Sequence, residues 1–184
     1  MRVFLDFEAS SLRKNGFPIE VGWVFEDGTS ENHLIRPAPG WSEWDPNAEA
    51  IHGIARATLE AEGEPHDAVA QRMVELLSPH ALYASAPSWD GKWLSLLLRS
   101  AGFPRHTLRL KDTEEAQYES AVELLRAAVA PDQLEARVRA IMAQVREEGE
   151  ERPVRHRAVA DAEEELRRWR QVVQIARDEA QGLG

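Results

Sequence analysis

Short apolar runs separated by turn residues dominate the first 36 residues of the chain. Residues 2–7 form an apolar run, residues 19–26 alternate in part between apolar and polar side chains, and residues 33–36 contain a third apolar stretch. Asp27-Gly28 between the second and third runs is a strong hairpin signal. Pro37 ends the third run, since proline cannot donate to a strand ladder. This pattern predicts an antiparallel meander of three strands.

Further along the chain, helical spacing alternates with two short strand patterns. The predicted helices are 48–54, 65–77, 89–101, 114–130, 132–147 and 157–181, and the predicted strands are 81–86 and 107–111. Ser88 is the expected N-cap of the third of these helices. The order predicts an α/β fold with a mixed five-stranded sheet flanked by helices. Because neither a repeat nor a linker divides the chain, we expect one domain spanning residues 1–184.

Composition narrows the classes of function that this chain can serve. The 184 residues suffice for a substantial core, and the lack of cysteine excludes disulfides and thiolate zinc sites. A net charge of -10 argues against a broad basic face for long nucleic acids. No apolar run approaches the roughly 20 residues of a membrane span, and the N-terminus lacks the layout of a signal peptide. We therefore expect no membrane association and a cytoplasmic location.

Two carboxylates, Asp6 and Glu8, follow each other at i and i+2 on the first predicted strand. Side chains at this spacing point to the same face of a strand. Like charges held together repel each other, and burying them is costly unless a positive charge lies between them. A divalent cation is the simplest compensation, and carboxylate ligands suit Mg²⁺ or Mn²⁺.

Two later segments carry further candidates for the same chemistry. Asp90 lies in the first turn of a predicted helix, where the helix dipole favours an Asp whatever its function. His156 and Asp161 are five residues apart, about 140° around a helix, so they do not share one helix face. We expect His156 in the loop or at the helix start and Asp161 inside the helix. Asp161 near the apolar face is costly without a positive partner.

Taken together, Asp6-x-Glu8, Trp89-Asp90 and His156-x4-Asp161 resemble the three motifs of the DEDDh family of 3′–5′ exonucleases. This family belongs to the ribonuclease H-like superfamily and includes the proofreading subunit of DNA polymerase III, ribonuclease T and oligoribonuclease. The resemblance spans nearly the whole chain, and the predicted element order agrees with it. It implies a ribonuclease H-like fold and release of nucleoside 5′-monophosphates from the 3′ end of single-stranded RNA or DNA or short oligonucleotides.

The resemblance also assigns roles to single residues. Two divalent metal ions, Mg²⁺ or Mn²⁺, would be held by four carboxylates, and His156 would be the general base that activates water. Because a histidine side chain ordinarily titrates near pH 6.5 and must be neutral to accept a proton, activity should fall at acidic pH. The metal ligands implied in this way are Asp6, Glu8, Asp90 and Asp161.

A second group of residues is implied on the substrate side. The segment after the first motif would line the pocket for the 3′-terminal nucleotide, with Leu12 either wedged against the last base or anchoring the loop. His52 would lie near the terminal nucleotide, although Gly53 can also make this segment an ordinary helix end. Trp89 either stacks on a base or packs in the core. The predicted substrate-binding residues are Ala9, Ser10, Ser11, Leu12, His52 and Trp89.

Departures from the family pattern leave the substrate open. Phe7, Ser10-Ser11 and Ser85-Ala86 replace residues common in relatives, and Phe7 should point away from the metals into the core. The alternative function is a non-catalytic ribonuclease H-like module that binds nucleic acid or a protein partner. A different metal-dependent phosphohydrolase is a third possibility, which His156 disfavours. Spacing does not distinguish RNA from DNA, since contacts to the 2′-hydroxyl decide that choice.

Basic and apolar residues outside the motifs have two interpretations each. A local basic rim beside the site, or simply solvated loops, would account for Arg13, Lys14, Arg152, Arg155 and Arg157. A homodimer interface, or core packing, would account for the apolar positions of the helices at 114–147. These positions are Val122, Leu125, Val129, Leu134, Val138, Ile141 and Val145.

Overall fold

A computed structural model describes residues 1–150 and 156–182 of the chain. The strands are β1 (Arg2–Ala9), β2 (Pro18–Phe25), β3 (Ser30–Arg36), β4 (Glu64–Pro65), β5 (Ala81–Ala84) and β6 (Leu110–Asp112). The helices are α1 (Pro46–His52), α2 (Arg56–Glu62), α3 (His66–Leu77), α4 (Pro87–Ser100), α5 (Thr113–Leu125), α6 (Pro131–Glu150) and α7 (Ala158–Gly182). None of the helices in residues 1–150 and 156–182 combines the length and the hydropathy that a membrane span requires.

The strands form one mixed sheet in the order β4-β3-β2-β1-β5-β6. The first three strands are antiparallel, as predicted, whereas β5 runs parallel to β1 and β6 parallel to β5. The mixed α/β architecture is therefore confirmed, but the predicted count of five strands is wrong. The sixth strand, β4, consists of Glu64 and Pro65 paired with the end of β3. Two residues are too few to show any alternation of apolar and polar side chains.

Several other elements differ from the prediction; α5, for example, ends at Leu125 rather than at residue 130. The short helix α2 was not predicted. Helix α4 begins at Pro87 with Ala86 as its N-cap, so the assignment of Ser88 as the N-cap is wrong. Proline at the first helical position already has the required φ, and the helix can begin there without a capping side chain. Strand β6 begins at Leu110 rather than at residue 107.

The two faces of the sheet bury different sets of side chains. Val3, Leu5 and Phe7 of β1 pack with Trp23 of β2 on the face covered by α3 and α4. Phe4 packs on the opposite face, in a cluster that includes Ala162, Leu166 and Trp169 of α7. This alternation is the period of two expected for a strand buried on both faces. It confirms that Phe7 points into the core, and it directs Asp6 and Glu8 towards α7.

Helices α5, α6 and α7 enclose a separate apolar cluster. Its buried members include most of the positions from which a dimer was predicted: Leu125, Val138, Ile141 and Val145, beside Val172 and Ala176. Val122, Val129 and Leu134 are partly buried against the same cluster. Packing within the chain therefore accounts for the pattern, and the homodimer stays a prediction that these positions no longer support.

Candidate active site

Helix α7 lies over the face of the sheet that carries the paired carboxylates. In the antiparallel register of β1 with β2, Asp6 stands opposite Gly22 and Glu8 opposite Glu20. A Cβ atom on Gly22 would lie 2.1 Å from the backbone nitrogen of Val159, at the start of α7. Only glycine therefore lets the helix approach β2 this closely. This approach brings the first turn of α7, which contains Asp161, to the carboxylates of β1.

Glu8, His156 and Asp161 form a tight group, although they are widely separated in sequence. One potential ligand atom from each side chain lies within 4.8 Å of the others. His156 precedes α7 and is exposed, whereas Asp161 is half-buried in the first turn of that helix. Both placements agree with the prediction that these two residues do not share a helix face. The third motif is thus brought against the first.

Asp90 joins the site from the other side of β1. It lies in the first turn of α4 and is only 3% exposed. The backbone N–H of Phe7 donates to its Oδ1 atom at 3.2 Å, which ties α4 to the strand between the two carboxylates. Its Oδ2 atom is buried and has no hydrogen-bond partner among the described residues. A buried carboxylate oxygen without a partner is costly, and a cation would satisfy it.

Burial and mutual repulsion make the carboxylates of the site difficult to ionise without a cation. Burial and the neighbouring charge of Asp161 raise the pKa of Glu8 to about 7. Burial likewise raises the pKa of Asp90 to about 7. The pKa of Asp6 rises well above its usual value, through burial and then through the charges of Asp90 and Glu8. These shifts link Asp6, Glu8, Asp90 and Asp161 as one electrostatic unit.

A fifth carboxylate, Glu165, was not predicted from the sequence. Its charge contributes to raising the pKa values of Asp6 and Asp90, and burial raises the pKa of Glu165 itself. Glu165 follows Asp161 by four residues, and residues at this spacing lie on one face of a helix. That spacing within α7 is the sequence signal that could have identified it.

The buried side chain of Glu20 faces the same side of the sheet as Glu8. Burial alone would raise the pKa of Glu20. Hydrogen bonds from Arg157, Asn32 and the backbone N–H of Ala158 outweigh this effect, so that the pKa lies below its usual value. Arg157, predicted as part of a basic rim, therefore forms an ion pair with Glu20, with Nη2 2.6 Å from Oε1. Arg13 pairs with Glu43 at 3.3 Å, and Lys14 is exposed. Arg152 and Arg155 lie outside the described residues.

The predicted substrate-side residues divide into exposed and buried side chains. Leu12 is 69% exposed and Trp89 is 43% exposed, so both apolar surfaces are available to a ligand. Ala9, half-buried, ends β1. Ser10 and Ser11 are buried, and their hydroxyls accept hydrogen bonds from the backbones of Phe17 and Arg13. The structure thus gives these two serine side chains a local structural role, and their contribution to a substrate pocket stays a prediction.

His52 is buried at the end of α1. Its Nδ1 atom accepts from the backbone N–H of Ile54 at 3.0 Å, and Gly53 ends the helix in a left-handed conformation with φ of 70°. The interpretation of this segment as a glycine-capped helix end is therefore confirmed. Nε2 of His52 is buried without a partner among the described residues. A contact of His52 with the terminal nucleotide stays a prediction.

A cleft of about 790 Å³ lies between α5, α6 and α7. Its lining includes Glu165, which belongs to the set of acidic residues at the candidate site, and Ser85, which follows β5. Asp6, Glu8, Asp90 and Asp161 are not among its lining residues. The polar residues that line it include Asp112, Arg139, Arg146 and Arg168. The cleft is thus adjacent to the candidate site but separate from its four predicted metal ligands.

The sequence matches no protein-family model and no curated protein sequence. Several solved structures of E. coli exonuclease I share the fold. The zinc-bound form of its complex with single-stranded DNA gives a TM-score of 0.66 at 17% identity, and covers 98% of this chain and 42% of that protein. The complex with a dA16 oligonucleotide gives 0.66 at 17% identity, with coverages of 97% and 42%. The apo enzyme gives 0.65 at 16% identity, with coverages of 97% and 43%.

This chain therefore spans less than half the length of the solved structures that it resembles. The likeness to the proofreading subunit, ribonuclease T and oligoribonuclease stays a prediction from the motifs. At such low sequence identity, the comparison establishes the shared fold: a mixed α/β sheet flanked by helices.

Proposed function

We propose that this protein is a metal-dependent 3′–5′ exonuclease that removes nucleoside 5′-monophosphates from single-stranded nucleic acid. The observation that carries the proposal is the convergence of Glu8, His156 and Asp161 within 4.8 Å, beside Asp6 and Asp90. Residues matched to the motifs of the DEDDh family meet at one place, as that resemblance requires. The fold shared with E. coli exonuclease I supports the same proposal, since solved complexes of that protein contain single-stranded DNA.

The donor set of the site fits divalent cations. Carboxylate oxygens are the ligands that Mg²⁺ and Mn²⁺ favour. Bound positive charge would offset the raised pKa values of Glu8 and Asp90, and it would satisfy Oδ2 of Asp90, which has no hydrogen-bond partner in residues 1–150 and 156–182. Asp6, Glu8, Asp90 and Asp161 would hold two such ions. When bound, the ions would stabilise the charge on the attacking and leaving oxygens of the phosphodiester.

We assign the proton transfer to His156. It is exposed at the start of α7 and lies beside Glu8 and Asp161, so solvent water can reach it. The neutral imidazole accepts a proton from the attacking water. The water oxygen then bonds to phosphorus, the bond from phosphorus to the 3′-oxygen of the preceding nucleotide breaks, and that oxygen takes a proton from solvent to become the new 3′-hydroxyl. Proton transfer by such a base typically contributes about 10²–10⁴-fold to a rate.

Exposed apolar side chains near the motifs suit unpaired bases. Leu12 follows the first motif and Trp89 directly precedes Asp90, and both are exposed. The ammonium group of Lys92 lies 5.1 Å from the ring of Trp89 and donates to the backbone carbonyl of Arg13 at 2.9 Å, so α4 and the loop after β1 meet here. Stacking of a base on an aromatic side chain contributes about 1–3 kcal/mol. We propose that this surface receives the 3′ end.

The proposal is tested by incubating 5′-labelled single-stranded DNA and RNA with the protein and Mg²⁺ or Mn²⁺. A ladder shortened from the 3′ end is expected, and Asp6→Asn, Asp90→Asn and His156→Ala should abolish or strongly weaken it. Asp67→Asn is the matched control, because Asp67 also lies in the first turn of a helix but is remote in sequence from all three motifs. Binding of the oligonucleotides without turnover under any divalent ion would support a non-catalytic module instead.

A further inference from the structure

Glu20 is a buried charged residue to which the mechanism above gives no role. Its side chain has no exposed surface, and it stands on β2 directly opposite Glu8. Both carboxylate oxygens are fully engaged. Oε1 accepts from Arg157 Nη2 at 2.6 Å and from Asn32 Nδ2 at 2.9 Å, and Oε2 accepts from Arg157 Nε at 3.1 Å and from the backbone N–H of Ala158 at 3.1 Å.

These contacts fall on the residues that directly follow His156. Arg157 is the next residue, and Ala158 begins α7. The N–H of Ala158 is one of the donors that a helix leaves without an internal partner, so Glu20 caps α7 from a neighbouring strand. The backbone carbonyl of Arg157 in turn accepts from the N–H of Asp161 at 3.0 Å. Glu20 is therefore connected to both functional residues of the third motif.

His156 has a backbone conformation that requires such support. Its φ is 49°, and it is the one non-glycine residue with positive φ in the part of the chain that the structure describes. A residue with a Cβ atom is disfavoured in this region and stays there only when its surroundings hold it. The bidentate contact between Glu20 and Arg157 supplies a rigid anchor one residue away, since a guanidinium and a carboxylate pair in a fixed plane.

We infer that Glu20 and Arg157 are positioning residues that fix His156 and the first turn of α7 relative to the carboxylates of β1. We call this pair the Glu20–Arg157 latch. Its effect on catalysis rests on the proposed exonuclease function, whereas its effect on the backbone does not. The latch also accounts for a charged side chain that the sheet buries completely next to another carboxylate.

The latch and a phosphate-binding role for Arg157 predict different kinetics. The side chain of Arg157 is 48% exposed, so a contact with nucleic acid is the competing explanation for it. If Arg157 bound phosphate, Glu20→Gln would free its guanidinium, and KM would fall or stay constant with kcat unchanged. If the latch positions His156, Glu20→Gln and Arg157→Ala both lower kcat and leave KM within about threefold. A displacement of about 1 Å at a reacting group costs about 10²-fold.

A double-mutant cycle with His156→Ala provides the most specific kinetic test. Because the latch acts through His156, Glu20→Gln should lower kcat by about 10- to 100-fold in the wild type but by less than about twofold in the His156→Ala background. Arg137→Ala is the matched control, since Arg137 makes a similar bidentate pair with Glu179, at 2.6 and 2.7 Å, between α6 and α7. It should leave kcat unchanged in both backgrounds.

Hydrogen–deuterium exchange of the metal-free protein tests the latch without any activity. In Glu20→Gln and Arg157→Ala, amides of residues 158–162 should exchange at least about tenfold faster, while the remainder of α7 and the Arg137→Ala control should match the wild type. Unchanged exchange at these amides, or equal losses of kcat in both backgrounds of the cycle, would overturn the latch. A wild type without turnover would contradict the proposed function, and the latch would then be judged on exchange alone.

Discussion

At the scale of single residues, the alternation of side chains along β1 determines which of them face the site. Asp6 and Glu8 face α7 because Leu5 and Phe7 face the core covered by α3 and α4. The sequence predicts this arrangement directly, since successive residues of a strand point to opposite faces. The sequence also predicts that His156 lies in the loop or at the start of the helix that carries Asp161. The environment of these side chains follows from tertiary packing, which is why Glu20 was not identified as a neighbour of the site.

His156 should be essential for turnover but not for metal binding. Replacement of His156 by Ala is expected to lower kcat by about 10²–10⁴-fold, because the site loses the group that accepts the proton of water. Mn²⁺ affinity, measured by titration calorimetry, should change by less than about threefold, since the four carboxylates remain. A large loss of Mn²⁺ affinity would instead make His156 a metal ligand, a role that its closeness to Glu8 and Asp161 also permits.

Leu12 should affect the binding of substrate without affecting stability. Its side chain is 69% exposed, so Leu12→Ala should leave the melting temperature unchanged. If it contacts the terminal base, the lost apolar contact of about 1 kcal/mol should raise KM for a single-stranded oligonucleotide by about fivefold. A lowered melting temperature with unchanged KM would favour the alternative, in which Leu12 anchors the loop.

At the scale of elements, the contact between α7 and β2 determines whether the third motif reaches the first. Gly22 permits this contact, since any Cβ atom would collide with the backbone at residues 158 and 159. Long periodic elements such as α3, α4 and α7 were predicted because their apolar spacing extends over several turns. The strand β4 was missed because a two-residue pairing depends on the edge of β3 rather than on any pattern of its own.

Gly22→Ala should disrupt the site, although the substitution adds only one methyl group. The added Cβ would lie 2.1 Å from the nitrogen of Val159, and backbone cannot move aside as a flexible side chain can. We expect a loss of about 3 kcal/mol in the free energy of unfolding, or about 10 °C in melting temperature, together with loss of activity. Gly91→Ala is the control, because a Cβ there would have no neighbour within 4 Å among the residues that the structure describes, and the melting temperature should stay equal or rise.

At the scale of the whole molecule, the candidate site is a concentration of carboxylates in a chain that is itself negatively charged. The net charge of -10 disfavours a broad basic face, and two of the described basic residues near the site, Arg13 and Arg157, are in ion pairs with acidic partners. Binding of nucleic acid would therefore depend mainly on bound metal ions and on local contacts near Trp89, Lys92 and Lys14 rather than on a broad basic face. Composition predicts the absence of a basic face, whereas the ion pairs that occupy Arg13 and Arg157 depend on the fold.

This charge distribution should make stability depend on pH and metal together. Without metal, the pKa values of Glu8 and Asp90 are about 7 in the folded state and near 4 in the unfolded state. The folded protein therefore holds more protons between about pH 4 and pH 7, and the free energy of unfolding falls as pH rises through this window. Bound Mn²⁺ removes the repulsion, so its stabilising effect should be large at pH 7.5 and small at pH 5.

Thermal unfolding at pH 5 and pH 7.5, with EDTA or with Mn²⁺, measures this linkage. Asp6→Asn should raise the melting temperature of the metal-free protein at pH 7.5 and reduce the gain from Mn²⁺, whereas Asp67→Asn should behave as the wild type. Equal gains from Mn²⁺ at both pH values would show that ionisation of these carboxylates is not coupled to metal binding.

The most direct test of the central claim is the identity of the product formed in water enriched in ¹⁸O. Single-stranded DNA or RNA would be incubated with the protein and Mn²⁺, and the released mononucleotides analysed by mass spectrometry. The proposed reaction predicts nucleoside 5′-monophosphates that carry one ¹⁸O atom in the phosphate, and their loss in Asp6→Asn. Release of nucleoside 3′-monophosphates, or no mononucleotide under any divalent ion, would contradict the account.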